Sequence, residues 1–227
     1  MNKNEKFVIT LNRELGSGGR TVGCILAERL GVAFYDKALI DALKKKFNLS
    51  VDEIEKLKGQ SHSWWAELKS FLFSSDPNAY ANEGIIIVPP FNQIITLSAS
   101  DAQPSYVKPT NKEMFDAETE ILKGIGEEES CVIAGRSGFY VFRDHPNHLS
   151  VLIQASMPFR IKRVMFKQHM NEEEARQTIE KVDKMRENYV KEFTGTSRYD
   201  TRNYDLVISA DGKSEEEMAD LIMAYIG

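Results

Sequence analysis

The run "RELGSGGRT", Arg13 to Thr21, puts three glycines, two arginines and two hydroxyl side chains within nine residues. Such a composition can hold phosphate oxygens. Glycines let the backbone N–H groups turn toward an anion without a side chain in the way, and arginine offers a planar fork of donors. The usual phosphate-loop pattern is G-x-x-x-x-G-K-[ST]. Aligned on it, the chain has Arg13 at the first glycine, Gly18 at the second and Gly19 at the lysine, followed by Arg20 and Thr21. A bare turn between a strand and a helix is the competing reading. Arg20 weighs against it, because a guanidinium in the first turn of a helix faces the positive end of the dipole unless an anion sits there.

The elements around the run are those a phosphate loop needs. "KFVITLN" before it is short, apolar and β-rich, and Val22, Leu26 and Leu30 after it recur at helical spacing up to Gly31. "GVAFYD" reads as a second strand and "KALIDALKKKF" as a second helix. From 48 to 110 the pattern loosens into a mostly helical insert, with Ser50 starting one helix, "SWWAELKSFLF" as another, and Pro89 and Pro90 breaking an apolar patch. Alternation then resumes: helix "NKEMFDAETEILKGIGEE", strands "SCVIAG" and "HLSVLIQA", a charged helical pair at about 157–200, strand "YDLVISA", and a last helix with Ser214 as N-cap and Glu217 at the capping-box position. Five strands with crossover helices predict a three-layer α/β/α sandwich on a parallel sheet.

Composition narrows the partners. The chain has 227 residues, 42% hydrophobic and 28% charged, enough for one domain carrying an insert. Its net charge of −5 argues against a nucleic-acid polymer as partner. Between Arg160 and Arg202, however, eleven Lys/Arg face eight Asp/Glu, so a local anion site is affordable there. No apolar run is long enough to cross a membrane and no signal-peptide pattern stands at the start, so a cytoplasmic protein is expected. Cys24 and Cys131 are too few and too far apart for a metal or disulfide framework. His62, His145, His148 and His169 have no partners at motif spacing, which leaves a hydrolase triad and a histidine metal site unsupported. Trp64 and Trp65 are neighbours on a predicted helix, so one of them faces the core. The apolar "IIIVPPF" suits self-association, making a homodimer an open expectation.

The opening "ITLNRELGSGGRTVGCILAERLGVAFYDKALI" resembles the cytidylate kinase-like family, whose loop typically has the form R-E-x-G-S-G-G-R. The resemblance continues through "SCVIAGRSGFYVFRDHPNHLSVLIQASMPFRIKRVM", "DKMRENYVKEFTG" and "NYDLVISA". It implies a P-loop kinase fold: one domain with a five-stranded parallel sheet, an acceptor-binding or dimerisation insert at 48–110 and a helical lid at about 157–200. It also implies transfer of the γ-phosphoryl group of ATP to a nucleoside monophosphate such as CMP or dCMP, with Mg2+. Carried over residue by residue, Gly16, Ser17, Gly18, Gly19 and Arg20 cradle the donor phosphates, with Thr21 the candidate magnesium aid. Asp36 and Arg136 lie beside the acceptor, and Arg163 and Asp183 complete the acceptor set. Arg20, Arg160 and Arg186 carry positive charge to the transferred group. Cytidylate kinases follow the arginine after the third strand with aspartate, whereas Ser137 stands here, which leaves cytosine selectivity open. Two other functions stay open: a nucleotide-binding regulatory module without turnover, and a kinase for another small acceptor.

Overall fold

The computed structural model describes residues 1–36 and 111–227. The second predicted helix, the expected insert at 48–110 and the apolar patch within it lie outside the described residues.

Strand β1 (Val8–Arg13) leads through the glycine loop into helix α1 (Gly19–Leu30), which Gly31 ends in the left-handed conformation. Strand β2 (Ala33–Tyr35) follows. After the undescribed stretch come α2 (Asn111–Glu128), β3 (Cys131–Ala134), the single turn α3 (Gly138–Val141) and β4 (His148–Gln154). Helices α4 (Met157–Gln168) and α5 (Glu172–Thr194), a 3-10 turn at Thr201–Asn203, β5 (Leu206–Ser209) and α6 (Glu215–Ile226) complete the chain.

The five strands are parallel, in the order β2-β3-β1-β4-β5. Parallel strands are covered on both faces and therefore read as apolar runs rather than alternating ones. β3 is buried at all four positions, and β4 at five of its seven. One face packs Ile9, Leu11, Val151 and Ile153 against Val22 and Leu26 of α1 and Met218 and Ile222 of α6. Beneath the other face lie Leu122 and Ile125 of α2 and Phe139 and Phe142 around α3, all buried. The expected five-stranded α/β/α sandwich is the observed one.

Helix ends follow the acidic runs. Asn171 with Glu174, and Ser214 with Glu217, form complete capping boxes, and Glu172 to Glu174 and Glu215 to Glu217 fill the first turns of α5 and α6. Negative charge there offsets the positive end of the dipole. α1 differs. Its N-cap is Gly18 in the left-handed region, no side chain caps it, and no acidic residue stands in its first turn. Among the described residues no side chain accepts from the leading N–H groups of α1, which such a helix start leaves without an intrahelical partner.

The sheet also carries a pH-sensitive point. His148 opens β4 and shares a 2.7 Å hydrogen bond between its Nε2 and Thr10 Oγ1. Burial pushes its pKa down from 6.5 to about 4, against the smaller upward pull of Asp205. The unfolded chain then binds the extra proton first, so this contribution is fully present above pH 6.5 and is lost as pH falls through about 4. Chemical denaturation between pH 7 and 4.5 should show stability declining on acidification, and His148→Gln should flatten that decline. An unchanged slope in the variant would contradict the assignment.

Candidate active site

In this strand order β1 has β3 on one side and β4 on the other, and the loops leaving their C-terminal ends diverge. Open α/β sheets bind ligands in the crevice at such a point. The glycine loop fills it. Gly16 (φ 87°) and Gly18 (φ 86°) are both left-handed. Gly16 has a second constraint, because a Cβ there would lie 2.8 Å from the Arg160 carbonyl oxygen on α4.

The loop is fastened from behind. Glu14 N–H donates to the Ile153 carbonyl at 3.1 Å, and Glu14 Oε2 accepts from Ala155 N–H at 2.8 Å. Ser17 is fully buried, and its hydroxyl donates back to the Glu14 carbonyl at 2.9 Å. Ser17 thus shapes the loop with its side chain. Leu15 packs into a small apolar cluster with Ile161 and Val164 of α4 and Ala175 and Ile179 of α5, and its N–H donates to Asp183 Oδ1 at 3.1 Å.

Asp183 is the hub of this fastening. It is 7% exposed and meets three guanidinium groups: Arg160 Nη1 at 2.5 Å, Arg198 Nη1 at 3.4 Å and Arg186 Nη1 at 3.6 Å. The i,i+3 spacing on α5 brings it to Arg186, as the sequence suggests. Arg198 is 1% exposed and donates to the Arg13 carbonyl and, at 3.2 Å, to Asn12 Oδ1, so it ties the segment after α5 to the end of β1. Sequence reasoning missed Arg198. The only signal for it was its place in the net-basic stretch.

Two cavities open on either side of this frame. The smaller, about 260 Å³, lies against Gly16, Gly18, Gly19, Arg20 and Thr21, with Arg163 and Lys167 of α4 across from them. The larger, about 790 Å³, lies between the β3 end and α5. Arg136 and Glu118 stand on one side of it, paired at 2.8 Å, and Tyr189 donates to Glu118 Oε2 at 2.9 Å. Phe193, stacked on Phe115 with centroids 5.0 Å apart, adds an apolar wall. Arg13 and Arg186 line both cavities.

The turn after β3 is unusual. Gly135, Arg136 and Ser137 take positive φ in succession, at 82°, 56° and 54°. Non-glycine residues held there cost energy and persist where the surroundings over-determine them, a pattern concentrated at functional sites. Ser137 Oγ is buried and has no hydrogen-bond partner among the described residues.

The remaining expected residues are placed as follows. Arg20, which lines the smaller cavity, donates from Nε to Asp36 Oδ2 at 2.7 Å. Arg163 pairs with Glu215, the first residue of α6, and its guanidinium lies next to Gly18. Arg160, expected at the transferred group, lines neither cavity: it is 7% exposed, held by Asp183 and within 3.7 Å of Glu14. Its guanidinium braces the loop from behind. Among the described residues no cluster of three His, Cys, Asp or Glu is placed to hold a metal, and no helix is long and apolar enough to cross a membrane.

A family model described as the cytidylate kinase-like family matches residues 8–211. The chain belongs to the cytidylate kinase-like family. The matched region contains the glycine loop, Arg136 and both helices of the 157–200 pair, so every candidate residue falls inside it. A cytidylate kinase of Sulfolobus acidocaldarius is 29% identical over 108 residues, which cover 47% of this chain and 58% of that protein. The alignment therefore spans little more than half of that relative. The crystal structure of an uncharacterized protein from Eubacterium ventriosum matches with a TM-score of 0.66 at 22% identity, over 97% of this chain and 98% of that one. A shikimate kinase from Bacteroides thetaiotaomicron matches with a TM-score of 0.48 at 15% identity, over 97% and 98%. The fold is shared with the Eubacterium ventriosum structure, and family membership supports phosphoryl transfer as the class of chemistry.

Proposed function

We propose that the protein transfers the γ-phosphoryl group of ATP to a nucleoside monophosphate of the CMP or dCMP type. The observation that carries this reading is the pair of cavities sharing one arginine-lined wall. One lies at the open N-terminus of α1, and the other presents Arg136 and an aromatic side. The donor phosphates fit the first, because helix N-termini bind phosphate through unpaired N–H groups and the dipole. A nucleoside monophosphate fits the second, whose volume lies in the range of small-molecule sites.

In the transfer, an acceptor oxygen forms a bond to the γ-phosphorus while the bond to the β-phosphate oxygen breaks, and ADP leaves with that electron pair. The protein supplies alignment and positive charge rather than covalent chemistry. Arg186, on the shared wall, is placed for the moving group, and Arg136 for the acceptor phosphate. Arg160 and Asp183 hold the loop and Arg186 in register. Arg163 and Lys167 sit on α4 across from the glycine loop, and closure of the α4–α5 pair over the donor would exclude water. Thr21 Oγ1, on the smaller cavity, would be the hydroxyl that helps hold Mg2+, which would supply positive charge to the nucleotide phosphates.

Among the described residues Glu118, Asp36 and Asp183 are each ion-paired with arginine, an arrangement that suits a monophosphate acceptor, whose oxygen is already ionised near neutral pH and needs no base.

Coupled ADP release with ATP and Mg2+, run with CMP, dCMP, UMP, AMP, GMP and no acceptor, tests the proposal. Acceptor-dependent turnover with a pyrimidine monophosphate is expected. Thermal stabilisation by ATP without turnover on any acceptor would favour a binding module instead.

A further inference from the structure

Position 19, where a phosphate loop carries its lysine, is a glycine, and the reason lies in a residue six positions earlier. A Cβ on Gly19 would stand 2.6 Å from Arg13 Cβ, and a Cβ on Gly135 would stand 2.2 Å from Arg13 Nη1. Real Cβ atoms do not approach so closely, so both glycines are shaped around one side chain. Leaving the last position of β1, the stem of Arg13 crosses over the start of α1 and its guanidinium ends against the turn that follows β3. It thereby lies on the wall between the donor-side and acceptor-side cavities and borders both.

Its partners set it apart. Arg20 has Asp36, Arg136 has Glu118, Arg163 has Glu215, and Arg160, Arg186 and Arg198 converge on Asp183. The Arg13 guanidinium has no carboxylate and no hydrogen-bond partner among the described residues; only its carbonyl is used, by Arg186 and Arg198. Burial, and then the neighbouring charges of Arg186, Arg198 and Arg20, push its pKa down to about 9, with Asp36 opposing. Arg13 is half-buried, and a partly desolvated cation among cations is costly unless an anion arrives to compensate it.

We propose that Arg13 takes the place of the loop lysine: its guanidinium grips the γ-phosphoryl group as it passes between the cavities, and Gly19 is the room that side chain requires. The inference rests on the phosphoryl-transfer reading above. An arginine delivered from the strand can hold two phosphoryl oxygens at once through its fork, where a lysine delivered from the helix gives a point charge.

Five variants test this, with two readouts: the melting temperature with ADP and with ATP, and turnover with the best acceptor. Arg13→Gln should keep stabilisation by ADP, lose the additional stabilisation by ATP, and drop kcat on the order of a hundredfold. Arg13→Lys should fall between it and wild type. Gly19→Lys should lose activity, because the new side chain and Arg13 claim the same space. Combining Arg13→Gly with Gly19→Lys restores the usual loop pattern and should recover about tenfold or more over Arg13→Gly, a non-additivity that a merely structural role would not produce. Arg13→Gln with an unchanged ATP-over-ADP increment and unchanged kcat overturns the inference, as does a double variant no better than its parent. Wild-type protein that binds ATP but turns over no acceptor overturns the kinase reading alone; the ATP-over-ADP increment of Arg13→Gln then still decides whether Arg13 holds the γ-phosphate. Wild-type protein that ATP does not stabilise overturns both.

Discussion

Replacing Asp183 by alanine is expected to remove about 3–5 kcal/mol of folding stability, the range for deleting one partner of a buried charge cluster. The carboxylate is 7% exposed and faces Arg160, Arg186 and Arg198, of which Arg160 and Arg198 are themselves buried. Removing it leaves three guanidinium groups close together without their shared counter-charge, and it strips the Leu15 N–H of its acceptor. The effect should reach the ligand as well as the fold, because Leu15 anchors the glycine loop to the α4–α5 pair. Asp183→Asn keeps the volume and one acceptor oxygen but not the charge, and should lose less than the alanine variant. Urea unfolding gives both values; a midpoint shift in Asp183→Ala equivalent to under about 0.5 kcal/mol, within the range of ordinary surface substitutions, would contradict the hub assignment.

The second large effect is kinetic. Arg186→Ala should lower kcat and kcat/KM together by about a hundredfold or more, because an interaction made chiefly in the transition state appears in both. Arg186 borders both cavities and is oriented by Asp183 at 3.6 Å and by the Arg13 carbonyl at 3.3 Å. Its side chain is 33% exposed, against 9% for Arg160, so its loss should cost far less stability than removal of Asp183. Arg160→Ala should show the opposite balance, with a clear stability loss through the loop brace. Steady-state kinetics beside thermal unfolding separate the two. An Arg186→Ala enzyme with a raised KM and an unchanged kcat would place Arg186 in ground-state binding only.

Local signals in the sequence carried the fold. The strand, glycine cluster and helix at the start, the buried runs "SCVIAG" and "HLSVLIQA", and the Ser214–Glu217 capping box depend on neighbours within a few residues, and all appear where their patterns place them. The loop glycines were legible for the same reason, since left-handed φ at Gly16 and Gly18 is a local demand. The direction of long side chains was not. Arg160 reads as a cation near the transferred group, yet it turns toward an aspartate 23 positions away. Arg198 reads as one more charge in a basic stretch, yet it is almost wholly buried under the β1 end, 185 positions from the carbonyl it bonds. Arg13 reads as a missing glycine. Its meaning comes from Gly19 and Gly135 together, and Gly135 lies on a different strand end. Such contacts join distant segments through packing, which no spacing rule encodes.

The central claim, phosphoryl transfer from ATP to a nucleoside monophosphate, is met most directly by following the γ-phosphate itself. The wild-type protein would be incubated with γ-labelled ATP, Mg2+ and each monophosphate, and the products separated. Label appearing in the diphosphate of a pyrimidine acceptor, in step with ADP formation and absent without acceptor, is the predicted result. Label found only in ATP and inorganic phosphate across the whole set would contradict it.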